Sequence, residues 1–232
     1  MTKWTFIFDA DDTLWENQEL FDHFEEKWAI LVKEFGLEIE KARPRLHQLD
    51  AECYQLGKFG NVFFLSSMEK VFTEFLTSPE QAIRKVRELH DGIFLSPPKV
   101  FSEIPGVLET LKKKANLYLL TKGELSTQRR KIEQSGLEHH FNGFIVTSRK
   151  DVDTYRKLAR QYALDPASTV MVGNSPKSDI NPALNAGWWA IFYQRRLLWH
   201  LEAEELVETP RMFIIDNLAE IISIAEKMQG KP

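Results

Sequence analysis

The sequence predicts an α/β fold, a doubly wound parallel sheet with a helical unit inserted after its first strand. Two patterns carry that expectation. Short apolar runs at the front and in the second half of the chain alternate with helical stretches, the texture of a parallel sheet covered on both faces. Between them, residues 21–94 show only helical periodicity. A third observation locates the chemistry: acidic, hydroxyl and basic residues stand just after the apolar runs, where doubly wound sheets bind their ligands.

"WTFIFD" is the first strand. Four helices come next, spaced by Phe24, Trp28, Leu31 and Phe35; by Leu46, Leu49, Cys53 and Leu56; by Met68, Val71, Phe72 and Phe75; and by Ala82, Val86, Leu89 and Ile93. Gly36, Gly57 with Gly60, and Ser78-Pro79 break them, the proline standing where a helix begins. After "SPPKVFSEIPG" the strands are "NLYLLT" (116–121), "FIVT" (144–147), "TVMVG" (169–173), "WWAIFY" (188–193) and "MFIID" (212–216). The expected division is a core of residues 1–15 and 97–232 and a helical unit of residues 16–96. The tail "MQGKP" is expected to fray.

Composition excludes several classes. The chain has 232 residues, 43% apolar and 28% charged, enough for one large core and a smaller one. Its 30 basic and 34 acidic residues give a net charge of -4, which offers no footprint for nucleic acid or an anionic membrane. Cys53 has no intramolecular partner, so no disulfide framework is implied; it is expected to be buried in its helix. The start has no signal-peptide apolar region and no long apolar run comes after it, so the expected location is the cytoplasm. The sequence names no oligomeric state.

The strand ends bring together Asp9 and Asp11, then Thr121 with "KGE", then Arg149 and Lys150, then Asn174 and Asp179 in "GNSPKSD". A divalent cation bound there would offset the repulsion of the carboxylates. His139-His140 reads as an exposed turn, no Cys/His cluster has zinc spacing, and the aromatics of the helical unit, Phe63 and Phe64 among them, read as packing.

These pieces, in this order, resemble the haloacid dehalogenase superfamily of Mg-dependent aspartyl-phosphate hydrolases. The resemblance rests on "DADDT" for D-x-D-x-T, "LLT" for the Thr or Ser that ends a strand, "RK" for the Lys, and "GNSPKSD" for the acidic cluster. It implies a Rossmann-like core with a helical cap, and a phosphatase acting on a small phosphorylated metabolite with Mg2+. By the same resemblance Asp9 is the nucleophile and Asp11 the acid and base, the two roles that a phosphoryl-enzyme route needs. Asp12 caps the segment after it. Thr121 and one cation contact the phosphoryl group, with backbone N–H groups near Ala10, Asp11, Lys122 and Gly123. Arg149 and Lys150 are both available; a compact ammonium suits a crowded phosphate site, which favours Lys150. Lys122 is a further cation behind the phosphate or an exposed side chain.

Asn174 departs from the family pattern, which has an acid after Gly173. The implied Mg2+ ligands are then Asp9, the Asp11 carbonyl, Asn174 and Asp179, a set of oxygen donors that suits the ion. The loop "GKFGN" (57–61) puts Lys58 or Phe59 toward substrate, or is an ordinary turn. Two alternatives stand: a 2-haloacid dehalogenase, against which Asp11 argues because departing halide needs no proton, and a phospho-accepting or ligand-binding module without turnover.

Overall fold

In a computed structural model of the chain, residues 3–229 are described. They form two compact units, one made of the chain up to Gln18 together with Pro98 onward, the other of Glu19–Pro97. The first unit is built on a six-stranded sheet of β1 (Thr5–Phe8), β2 (Asn116–Lys122), β3 (Gly143–Thr147), β4 (Thr169–Gly173), β5 (Trp189–Tyr193) and β6 (Met212–Ile215). The spatial order is β3-β2-β1-β4-β5-β6, and every pairing is parallel. Chain order reverses between β1 and β4, the crevice where doubly wound sheets hold ligands.

Alternation along β1 explains the layers. Phe6 and Phe8 enter one core with Leu117, Leu119, Val170 and Val172, while Ile7 enters the other with Leu120 and Met171. Helices α5 (Ile104–Lys112) and α9 (Glu220–Gln229) cover the first face through Val107, Leu108, Leu111, Ile221, Ile224 and Met228. On the other side α7 (Val152–Gln161) supplies Tyr155 and Leu158, and α8 (Asn181–Asn185) supplies Ala183 against Trp188. Each fully buried Phe or Leu contributes about 1.5–3 kcal/mol, so the two layers hold the strand ends in register. Helix α6 (Leu125–Ser135) comes directly after β2, its Glu124 carboxylate accepting from the Ser126 and Thr127 N–H groups as an N-cap.

The second unit contains α1 (Gln18–Glu34), α2 (Ile39–Gln55), α3 (Asn61–Phe75) and α4 (Glu80–Phe94), with its own core of Phe24, Trp28, Leu46, Phe64, Met68, Phe72 and Val86. Phe24 sits edge to face on Phe94 at 5.4 Å and on Phe64 at 6.1 Å, so these aromatics are packing. Leu56 lies past the end of α2 and is exposed.

The fold corrects two expectations. Cys53 is half-buried, because α2 turns its thiol toward the Ser67 hydroxyl at 4.0 Å near the helix end. His140 is buried beneath a short 3-10 turn, Glu138–His140, while His139 is exposed; burial holds the His140 pKa below the usual range. At the chain end Met228 is buried and α9 continues to Gln229, so fraying is not seen for the first part of "MQGKP", and residues 230–232 lie outside the described region. Among the described residues no helix is long and apolar enough to cross a membrane.

Candidate active site

Asp9 is held as an extension of β1, its N–H donating to the Val172 carbonyl at 2.8 Å, and its side chain is buried. The chain then turns tightly. Leu14 N–H donates to the Ala10 carbonyl at 2.8 Å, and Asp12 takes the left-handed conformation at φ 62°. As expected, Asp12 caps the start of α1, accepting from the N–H groups of Asn17 and Gln18 at 3.0 Å. Burial, with the nearby Asp11 charge, raises its pKa to about 6 against those bonds and Arg195.

The same turn places the Thr13 hydroxyl 3.2 Å from Asp9 Oδ2 and 3.2 Å from Asn174 Oδ1. A hydroxyl has one proton to give, so one of those oxygens is always left without it. Asn174 comes just after β4, and the loop behind it folds as a π-helical turn, Pro176–Ile180, that returns Asp179 toward the strand. Asp179 Oδ2 accepts from Ser175 N–H at 3.0 Å. Gly173 permits this approach: a Cβ there would stand 2.3 Å from Asp179 Oδ2.

Lys150, just ahead of α7, reaches into the centre. Its ammonium donates to Asp9 Oδ1 and, at 2.8 Å, to Asp179 Oδ1, with the side chain fully enclosed. Arg149, one position away, is exposed. Burial raises the Asp9 pKa to about 7, repulsion from Asp179 adds to it, and Lys150 offsets part. Burial alone would lower the Lys150 pKa, but Asp179 and Asp9 outweigh it and hold the ammonium charged. Two carboxylates thus share one ammonium, and the oxygens of Asp9 and Asn174 share one hydroxyl proton. That surplus of oxygen acceptors fits a hard divalent cation. Among the described residues no group of three or more His, Cys, Asp or Glu side chains is disposed to hold a metal; the oxygens that Thr13 and Lys150 draw together are those of two carboxylates, Asp9 and Asp179, and the Asn174 amide.

Asp11 looks the other way. Its carboxylate accepts from Trp15 Nε1 at 2.7 Å, Gln128 Nε2 at 3.1 Å and Lys131 Nζ at 2.6 Å, and Lys131 also donates to Asn17 Oδ1 at 2.9 Å. Burial raises the Asp11 pKa, yet Lys131 and the other donors outweigh it and leave the group below the usual carboxylate range. Gln128 and Lys131 lie three apart on α6, so they share a face.

Thr121 is buried at the end of β2. The Gly123 N–H, expected to face phosphate, instead donates to the Thr147 carbonyl at 3.1 Å, because β2 keeps pairing with β3 past Lys122; Gln128 also fills the space beside Gly123. Lys122 is neither exposed nor loose: its ammonium donates to Glu202 Oε1 at 2.5 Å and to Ser178 Oγ at 3.1 Å. In the helical unit Lys58 is exposed and Phe59 half-buried against Tyr54 at 6.4 Å. Sequence reasoning left Thr13, Gln128, Lys131 and Glu202 without a role. The spacing of Gln128 and Lys131 at the start of α6 was a legible signal; Glu202 carried none.

A buried aspartate at the end of the first strand, facing an ammonium and a second aspartate across the switch point, defines an α/β enzyme that works from its strand ends. A model of the haloacid dehalogenase-like hydrolases matches residues 5–187, and the chain belongs to that family. The phosphoserine phosphatase of Thermus thermophilus is 29% identical over 178 residues, 73% of this chain and 68% of the relative. A haloacid dehalogenase-like family hydrolase from Xanthomonas campestris superposes with a TM-score of 0.81 at 24% identity, over 98% of this chain and 97% of that one. The 2-haloacid dehalogenase of Pseudomonas syringae gives a TM-score of 0.68 at 20% identity, over 97% and 99% of the two chains, and so shares the fold.

Proposed function

We propose that this hydrolase is a phosphatase that cleaves small phosphomonoesters through an aspartyl phosphate on Asp9, in the cytoplasm, with residues 16–96 forming a helical cap domain. The observation that carries this reading is Asp11, a second carboxylate two residues after the nucleophile and held by its own donors. Halide leaves as a stable anion and needs no acid at that position, whereas a departing alkoxide needs a proton, which a carboxyl two residues on can supply. The relative named a phosphoserine phosphatase supports the same choice over a dehalogenase, and a catalytic constellation of this kind supports turnover over simple phosphate acceptance.

Asp9 Oδ attacks phosphorus in line, forming the Asp9–phosphate bond as the bond to the alcohol breaks. Lys150 and Thr121 meet the charge on the phosphoryl oxygens. The alcohol takes a proton from Asp11, which must first part from Lys131 and take up that proton from solvent. Asp11 then removes a proton from water, which attacks phosphorus and frees Asp9. The carboxylate form needed for this second step is the one that Lys131, Trp15 and Gln128 hold. Asp9, Asp179, Asn174 and the Asp11 carbonyl would hold Mg2+, whose charge offsets the carboxylate pair and the phosphoryl oxygens. Phosphate release from a panel of phosphorylated metabolites, phosphoserine included, tests the reading with and without Mg2+. Activity should appear with Mg2+ and fall by at least about a thousandfold in Asp9→Asn. A panel with no phosphate release, or an Asp9→Asn enzyme keeping a tenth of the rate, sinks it.

A further inference from the structure

Glu202 lies beyond the family-matched residues 5–187, in the stretch between β5 and β6, yet it is buried in the candidate site. Its Oε1 accepts from Lys122 Nζ at 2.5 Å, and its Oε2 accepts from Ser175 Oγ at 2.6 Å and from Ser178 Oγ. Ser175 and Ser178 belong to the turn that carries Asn174 and Asp179, and Ser175 N–H is the group that Asp179 Oδ2 accepts from. The stretch is tied down around that turn: Lys177 Nζ donates to the Leu201 carbonyl at 2.9 Å, and Asn181 Nδ2 to Glu204 Oε2 at 2.9 Å and the Glu205 carbonyl at 2.8 Å. Burial would raise the Glu202 pKa, but Lys122 and the serines outweigh it, so the group is a carboxylate at neutral pH.

The charge pattern gives this pairing a purpose. Where the family pattern has an acid at 174, this chain has a neutral amide, and Lys122 stands immediately after the buried Thr121. Both features make the neighbourhood more positive and so less hospitable to a divalent cation. We propose that Glu202 is a positioning residue that cancels Lys122: it holds the ammonium on the Ser178 side of the turn and restores the negative charge that binding of a divalent cation beside Asp179 requires. The proposal rests on the phosphatase reading above.

The test uses opposite signs. Glu202→Gln keeps one acceptor oxygen for Lys122, turns its amide N–H toward serine hydroxyls that can accept as well as donate, and removes the counter-charge. Mg2+ titrated alone into the full-length protein should then bind about tenfold more weakly by calorimetry, while inorganic phosphate should inhibit several-fold more strongly. Adding Lys122→Met to Glu202→Gln should return both constants to within about twofold of wild type, because the charge is balanced again. Lys122→Met alone should shift both the other way, which keeps the test open if Glu202→Gln folds poorly. A purely structural tie would weaken cation and phosphate together, and the double substitution would then be worse than either single one; that pattern in an active wild-type background overturns the assignment of Glu202 alone. A wild-type protein that neither binds Mg2+ nor is inhibited by phosphate overturns it together with the phosphatase reading.

Discussion

Asp9→Asn should stabilise the metal-free protein, and more so in alkali than in acid. The folded pKa of Asp9 is raised from 3.8 to about 7, so between those values the folded state holds a proton that the unfolded state has lost. Stability from this group therefore falls as pH rises through that window, and the full cost stands above it. At about 1.4 kcal/mol per pH unit, the raised pKa costs the fold about 4 kcal/mol at pH 8, where the buried carboxylate is charged, and about 2 kcal/mol at pH 5, where it must hold a proton that the unfolded group has largely lost. Asparagine fills nearly the same volume without the charge. Its amide oxygen can still accept from Lys150, which remains paired with Asp179, but the ionic part of the bond is lost, and the part of that loss that does not vary with pH cancels when the two pH values are compared. For a chain of this length each kcal/mol moves the midpoint by about 2–4 °C, so the gain at pH 8 should exceed the gain at pH 5 by about 5 °C. Thermal melts of both proteins in chelator at the two pH values give the answer. A mutant shift that does not change with pH would show that Asp9 is not strained by its own charge. With Mg2+ added at pH 8, wild type should gain more than the mutant, since the ion removes the strain that the mutant lacks.

The same geometry sets three further outcomes. Gly173→Ala drives a methyl to 2.3 Å from Asp179 Oδ2, so it should cost about 2 kcal/mol or more in stability and at least about tenfold in rate; a mutant with both unchanged would show that the Asp179 contact is dispensable. Asp11→Asn should slow hydrolysis severely for alkyl phosphates but less for nitrophenyl phosphate, whose leaving group needs no proton, and equal losses would remove the acid role. Asn174→Asp should tighten Mg2+ binding and Asp179→Asn loosen it, read from activity against Mg2+ concentration; half-saturation unchanged in both would place the cation elsewhere.

Much of the molecule was legible before its coordinates. Phe6, Ile7 and Phe8 form a run apolar enough for a strand buried on both faces, and Phe24, Trp28 and Leu31 repeat at helical spacing in α1. Such periodicity is a property of neighbouring residues, and it decides local structure. The rule that sheets present chemistry beyond strand ends then singles out Asp9, Thr121, Asn174 and Asp179. His140 shows where that reasoning stops: polar neighbours suggested a surface turn, but the turn packs its ring beneath it.

Charge pairing is where the tertiary structure took over. Adjacent Arg149 and Lys150 are alike in sequence; the path from β3 into α7 buries one between Asp9 and Asp179 and leaves the other in water. Glu202 sits among other acids in a stretch without periodicity, and only folding reveals that it meets Lys122, 80 positions earlier. By itself the sequence determined the layers, the edge that carries the chemistry and most of the residues on it, because side-chain alternation and strand-end position are set within a few residues. Which ammonium neutralises which carboxylate, and so which groups are strained and which are stabilised, was decided by the tertiary structure, because a Coulomb energy depends on distance through space between residues the chain keeps far apart.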